Sequence, residues 1–205
     1  MSSLREQLTG TSGTVIPPYR MLLPPGWEAY DLSETTEREL VQRASARLQA
    51  AQNPALAPVL AGRVREVLDQ LRARKGFAYA FARDAAPSWA IGAATLIGLK
   101  RISSPEATLD QLVERAIRHH DAVPIGEGER IVRWTERRQV SVDGEDVASF
   151  LINYLIPIPG TKRTEAVQWT ATVSHEADMP ADHPNLLVWL ALFDTHVSTF
   201  TWTVR

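Results

Sequence analysis

The chain has 205 residues, of which 44% are hydrophobic and 22% are charged, a composition typical of a globular protein with a packed core. Its 22 basic and 24 acidic residues give a formal net charge of −2, which argues against a general nucleic-acid-binding protein because no positive field would attract phosphate backbones. The absence of cysteine excludes disulfides, thiolate metal ligands and a cysteine nucleophile.

The beginning of the chain differs in composition from the rest. Residues 1–14 are rich in Ser, Thr and Gly and predict a flexible leader, whereas residues 15–205 predict a single α+β domain. The first residues lack the basic and apolar regions of a secretory signal, and no apolar run is long enough to cross a membrane. We therefore expect a cytoplasmic protein that does not contact a membrane.

Two amphipathic helices follow a short strand over residues 19–23. The first helix is predicted to begin with a cap at Asp31 or Thr36, and the second begins near Pro54 or Pro58 and ends at Gly76. Each helix carries its apolar residues on one stripe, and the linker between them is short. This pattern predicts an antiparallel helical hairpin over about residues 34–76.

The middle of the chain predicts two strands and a third helix. Aromatic residues alternate with alanines over 77–81, which is typical of a strand, and residues 89–99 are apolar on both sides, as in a central strand. Thr108 and Gln111 have the spacing of a capping box, and they predict a helix that ends at His120.

Three further strand-like segments form the most regular part of the sequence. They cover 130–142, 147–158 and 166–173, and the turn signals Asp143-Gly144 and Pro159-Gly160 separate them. The two-residue alternation of the third segment is typical of a half-buried strand. Together the three segments predict an antiparallel meander.

The last apolar run, from residue 186 to 193, is hydrophobic on every side, so periodicity alone does not distinguish helix from strand. Pro184 suits the first turn of a helix, and we predict a helix from there to about His196. Apolar residues then alternate with threonines from Thr199 to Val204, which predicts a final strand.

In their order along the chain, four segments resemble the PsbP-like superfamily, which includes oxygen-evolving-complex proteins of photosystem II, Ran-binding nuclear import factors and LpqN-type lipoproteins. They are the opening strand with Pro25-Gly26-Trp27, the strand and helix over 89–120, the meander with its two turns, and the closing segment 192–200. The resemblance covers about two thirds of the chain. It implies an antiparallel sheet flanked by helices, an α/β/α sandwich, into which the helical hairpin is inserted. It implies little about activity, because the members are mostly adaptors and assembly factors with unrelated partners.

One polar cluster has the residue types of a metal site. Two imidazoles and three carboxylates fall within nine positions, and a flexible loop could fold them around a divalent ion: His175, Glu176, Asp178, Asp182 and His183. No pair of them has the i,i+4 spacing that makes a helical metal motif specific. A solvated loop is the simpler interpretation, so we assign no metal, cofactor or catalytic residue.

Two other ionisable groups have structural interpretations that outweigh catalytic ones. His120 lies at the end of the third predicted helix, where the helix dipole favours a cation. Asp194 lies inside an apolar run, and a buried carboxylate needs a partner. We expect Asp194 to cap a loop or to pair with an arginine.

These observations favour a non-enzymatic protein-interaction or assembly factor. The partner would be another protein or a second copy of the chain in a homodimer, and the contact surface would be the helical hairpin with the neighbouring sheet face. Its predicted members are three arginines and two partly exposed tryptophans: Arg65, Arg72, Arg74, Trp27 and Trp134.

A second hypothesis places a small-molecule or divalent-metal site between the sheet and the helices. This site would be lined by Tyr79, Phe81, His120 and the loop 175–183. A hydrolase is the third possibility, and no motif in the sequence requires it.

Overall fold

The computed structural model describes residues 15–82, 93–142 and 145–203. The predicted leader, the Asp143-Gly144 turn and the first residues of the predicted strand 89–99 lie outside these ranges. Within the described ranges the helices α1 to α4 span Glu34–Ala50, Ala57–Ala73, Leu109–His120 and Pro184–Val197. The strands β1 to β9 span Tyr19–Arg20, Trp27–Tyr30, Gly76–Ala82, Ala94–Ile102, Val123–Ile125, Ile131–Val142, Glu145–Pro157, Glu165–Glu176 and Thr201–Trp202.

Seven of these strands form one antiparallel sheet, which confirms the α+β class. Their order is β2-β3-β4-β8-β7-β6-β5, so the predicted meander of β6, β7 and β8 lies at the centre and towards one edge. The predicted strand 89–99 is also internal, because β4 pairs with both β3 and β8.

The opening and closing strands are shorter than predicted, and they form a separate two-stranded sheet. Tyr19 lies opposite Trp202 in this pair. The strand β1 ends early because the Leu22 amide donates to the Thr199 side chain, 2.9 Å away, and not to a neighbouring strand.

The predicted helical hairpin is present as α1 and α2, and it connects β2 to β3, which are adjacent and antiparallel. The predicted cap at Asp31 or Thr36 is wrong. Ser33 is the N-cap, because its hydroxyl accepts a hydrogen bond from the Thr36 amide at 3.2 Å. Asp31 supports this cap by accepting the Ser33 amide at 3.1 Å. Hydrogen bonds that the Thr36 and Ser33 hydroxyls donate to Asp31 lower the pKa of its carboxyl.

The end of α2 also differs from the prediction that Gly76 stops the helix. Lys75 takes the left-handed conformation there, with φ of 61°, and Gly76 is already the first residue of β3. A Cβ on Gly76 would lie 2.7 Å from both the Leu71 carbonyl oxygen and the Leu32 side chain. Glycine is therefore required at this position by close packing and not by a helix-ending turn.

One face of the seven-stranded sheet carries the main core. The predicted helix at residues 184–196 is confirmed as α4, and it covers this face with Leu186, Trp189, Phe193 and Val197. The side chains beneath it alternate along β7 and β8 and are fully buried: Ile152, Tyr154, Val167, Trp169, Ala171 and Val173.

Two separate helical elements pack on the other face of the sheet. The α1–α2 hairpin packs beside β2 and β3, and α3 packs over β6 and β7 through a smaller cluster that includes Leu109, Ala116 and Trp134. The predicted capping box of α3 is confirmed at Thr108 and Gln111. With α4 on the first face, this arrangement is a three-layer α/β/α architecture.

We expect Gly98→Ala to lower the free energy of unfolding by about 1–3 kcal/mol. A Cβ at Gly98 would lie 2.6 Å from the Phe77 ring, and this ring packs edge-on against Trp169. Gly62→Ala is the matched control, since Gly62 lies in α2 with open space around its Cα. That change should be neutral or stabilise the protein by roughly 0.5–1 kcal/mol. Urea denaturation measures both, and equal effects of the two substitutions would contradict this packing.

Candidate functional site

A cleft with a volume of about 570 Å³ lies between the two hairpin helices and β3. We call it the hairpin cleft. Its walls are apolar except for guanidinium and phenol groups, and they consist of Leu40, Arg43, Ala44, Arg47, Leu48, Ala51, Leu60, Arg63, Val64, Val67, Leu68, Tyr79 and Phe81.

The cleft exists because the hairpin does not close onto the sheet. Each helix has 17 residues, but only Thr36, Leu68 and Leu71 are buried in the two helices together. The predicted apolar stripes are present, yet most of their side chains are only half-buried, and Val67 is 43% exposed. The stripes therefore line an accessible cleft and do not form a dry core.

Polar contacts hold the hairpin at its base. The Arg72 guanidinium donates to the Leu32 carbonyl at 2.7 Å and to the Glu37 carboxylate at 3.0 Å. Arg65 donates to the same carboxylate at 3.2 Å. Two of the three arginines that the sequence predicts for a partner surface thus make contacts within the hairpin. Arg74, the third, lies at the C-terminal end of α2, where burial and the Arg74 charge lower the pKa of Arg101.

Aromatic rings form the sheet side of the cleft. Phe81 stacks on Tyr30 with 5.1 Å between the ring centroids, and it also contacts Tyr79 at 5.3 Å. The Tyr30 hydroxyl accepts a hydrogen bond from Arg43 at 2.6 Å, and Arg43 forms an ion pair with Glu28 at 2.9 Å. Burial raises the pKa of both tyrosines, so their phenols are neutral at physiological pH.

The two predicted tryptophan anchors differ in exposure. Trp27 is half-buried and packs edge-on against Phe193, with ring centroids 5.5 Å apart. The prediction that Trp134 is partly exposed is wrong, because its side chain is only 3% exposed. It lies in the cluster under α3, and its indole nitrogen donates to Glu136 at 2.9 Å.

The five candidate metal ligands are not grouped around one centre. His175 is buried at the end of β8, where its Nδ1 lies 2.8 Å from the Glu176 carbonyl oxygen, and His183 caps α4 by accepting the Asn185 amide. Asp178 and Asp182 are exposed. Across residues 15–82, 93–142 and 145–203, no three His, Asp or Glu side chains lie close enough together to hold a metal ion.

The residues of the predicted small-molecule site likewise do not all come together at one place. Tyr79 and Phe81 line the hairpin cleft, whereas His120 lies near Glu136 at the α3 end of the sheet. The loop after His175 lies on the α4 side, because His175 shares the face of Val173 by the two-residue alternation of β8.

Asp194 has the partners that its position in an apolar run predicts. The Tyr154 hydroxyl donates to Asp194 at 2.8 Å, and Arg133 lies 3.5 Å from its other oxygen. Burial raises the pKa of Asp194 although both partners oppose this shift, and burial together with the carboxylate strongly raises the pKa of Tyr154. Asp194, Tyr154 and Arg133 thus link α4 to β7 and β6.

A ladder of polar side chains crosses the second face between the hairpin and α3, and the sequence patterns give no indication of it. Gln168 accepts from Arg101 at 2.7 Å and donates to Asn153 at 2.9 Å. Asn153 in turn donates to Glu136 at 3.3 Å. Burial acts to raise the pKa of the Glu136 carboxyl. Hydrogen bonds from Trp134 and Arg138 outweigh this effect, so the pKa is lowered.

No protein-family model matches this chain, and no curated protein is significantly similar to it. Within the ranges that the structure describes, none of the helices is both long and apolar enough to cross a bilayer.

We expect the stability cost of Asp194→Asn to be smaller at pH 7 than at pH 3. The folded-state pKa of Asp194 is raised above its usual value of 3.8, so the folded protein binds this proton more tightly than the unfolded chain. The stabilisation from this group is therefore present below pH 3.8 and is lost as the pH rises through the raised pKa. Asparagine does not titrate.

Urea denaturation of both proteins between pH 3 and pH 7 measures this difference. Asp178→Asn is the control, because Asp178 lies in an exposed loop. It measures how much the stability changes when an aspartate without a buried environment is replaced. A cost of Asp194→Asn that grows with pH would show that the attraction to Arg133 outweighs burial.

Proposed function

We propose that this protein is a non-enzymatic binding protein and that the hairpin cleft holds a small apolar molecule. The observation that carries the proposal is the cleft itself. Ligand sites for small molecules have volumes of roughly 300–1,000 Å³ and mainly hydrophobic walls with few polar groups. The hairpin cleft has a volume of about 570 Å³ and walls of this kind.

Apolar burial, and not charge, would supply most of the affinity. Arg43 already pairs with Glu28 at 2.9 Å, and Arg63 pairs with Glu66 at 3.3 Å. An anionic ligand would have to compete with these carboxylates, and an exposed ion pair contributes only about 0–1 kcal/mol. Burial of apolar surface contributes about 25 cal/mol per Å², so a ligand that fills the cleft gains more from its apolar body.

A protein-interaction or assembly factor is the second candidate. The exposed apolar residues Leu56 and Val59, which are 52% and 63% exposed, favour it because they lie at the turn between the two helices. In this case an apolar side chain of a partner protein, or of a second copy of the chain, would enter the cleft. The resemblance to the PsbP-like superfamily and a location in the cytoplasm are part of this proposal.

We expect Ala44→Trp to weaken the binding of the neutral fluorescent probe phenylnaphthylamine by about tenfold or more, because the indole would occupy the cleft. Ala46→Trp is the matched control, since Ala46 is exposed on the other side of the same helix and does not line the cleft. Fluorescence titration measures both affinities. Affinity that is equal in the two variants, or no saturable binding by the unmodified protein, would contradict the proposal.

The second candidate predicts a different outcome. If the hairpin turn is a self-association surface, light scattering should show a dimer that dissociates in the Leu56→Glu/Val59→Glu variant, because two charges would have to be desolvated at the contact. A protein that stays monomeric at all concentrations would count against the homodimer and would leave the apolar ligand as the occupant.

A further inference from the structure

A second cavity, with a volume of about 1,210 Å³, lies where the start of β6 and the end of β7 meet the segment after α4. Arg130 and Arg163 both line it, together with Ser198, Phe200 and Trp202. Among the described residues that line it, Glu127 is the only acidic one. We call it the arginine cavity, and it shares no residue with the hairpin cleft.

Neither arginine has a carboxylate partner among the side chains that the structure describes. The ion pairs of the described residues involve Lys100 and other arginines, among them Arg43, Arg65 and Arg72 of the hairpin. Both arginines line the same cavity, and Glu127 is the one acidic residue among the described residues beside them. The arginine cavity is therefore positively charged.

Two turns bring Arg130 and Arg163 to the same cavity, although they lie 33 positions apart in the sequence. Gly128 has φ of 69°, a left-handed conformation that glycine adopts readily. Arg163 itself has φ of 64°, a left-handed conformation that is costly for a residue with a Cβ. Such conformations persist where the surrounding structure enforces them, and they are frequent at binding sites.

A flat apolar wall faces the same space. The Trp202 indole is half-buried, and its nitrogen donates to the Pro157 carbonyl at 3.1 Å, which fixes the ring. Phe200 packs edge-on against it with ring centroids 4.9 Å apart. A fixed indole beside cationic groups suits a ligand that combines a planar ring with an anion, because rings stack on aromatic side chains.

We infer that the arginine cavity binds a phosphate monoester carried on a planar ring, the chemistry of a nucleoside monophosphate. A phosphate monoester carries about −1.5 to −2 charges at neutral pH, which two guanidinium groups balance. Arginine also matches the geometry of phosphate oxygens with two parallel hydrogen bonds. The indole of Trp202 would contact the ring.

Isothermal titration calorimetry with AMP, inorganic phosphate and adenosine tests this inference. We expect AMP to bind more tightly than either phosphate or adenosine, and the affinity for AMP to fall by about tenfold or more in the Arg130→Gln/Arg163→Gln variant. Arg118→Gln is the matched control, because Arg118 is exposed on α3 and pairs with Glu114. It should bind AMP as the unmodified protein does. A cooperative thermal transition in each variant shows that it is folded.

A second variant separates the two parts of the ligand. Trp202→Leu should weaken AMP binding and leave phosphate binding unchanged. The inference is overturned if AMP does not bind at millimolar concentration, if the double arginine variant binds AMP as tightly as Arg118→Gln, or if AMP and phosphate bind equally well. None of these outcomes depends on phenylnaphthylamine binding in the hairpin cleft.

Discussion

The two-residue alternation of β7 and β8 determines how the rest of the structure is arranged. It places Ile152, Tyr154 and Trp169 on one face of the sheet, where α4 buries them completely. It places the buried amides Asn153 and Gln168 on the other face, where Gln168 donates a hydrogen bond to Asn153. One face is thus a closed core, and the other carries a polar ladder between two separate helical covers.

The polar ladder accounts for the position of the hairpin cleft. Buried amide and carboxylate groups must keep hydrogen-bond partners, so the centre of the second face does not accept an apolar helix. The hairpin is therefore confined to β2 and β3 at the edge of the sheet, where Tyr79 and Phe81 supply the nearest apolar surface. That surface is too narrow for both helical stripes, and the uncovered parts of the stripes form the cleft walls.

The pattern-based predictions succeed where the determining interactions are local. The meander, the hairpin and the helix α4 follow from periodicities and turn residues within short segments, and the structure contains all three. The cap of α1 was mispredicted because Asp31 and Ser33 are both good caps, and only the backbone geometry selects Ser33. Gly76 fits a helix stop equally well in sequence terms, but its close contact with Leu32 is a tertiary one.

The sites were less accessible to sequence analysis than the fold. Trp134 sits between charged residues, and its burial depends on which strands α3 covers. A helical stripe shows which side of α1 faces the protein, but it does not show how far that side lies from the sheet. Arg130 and Arg163 line one cavity only because two turns from different hairpins end at the same edge, and nothing in either turn sequence indicates the other.

The hairpin is held at its base by polar contacts and only incompletely by apolar packing. Native-state hydrogen exchange tests it most directly, because exchange reports the free energy of local opening segment by segment. We predict that the amides of α1 and α2 exchange through openings of clearly lower free energy than those of β7 and β8. Equal protection of the hairpin and the central strands would contradict the claim.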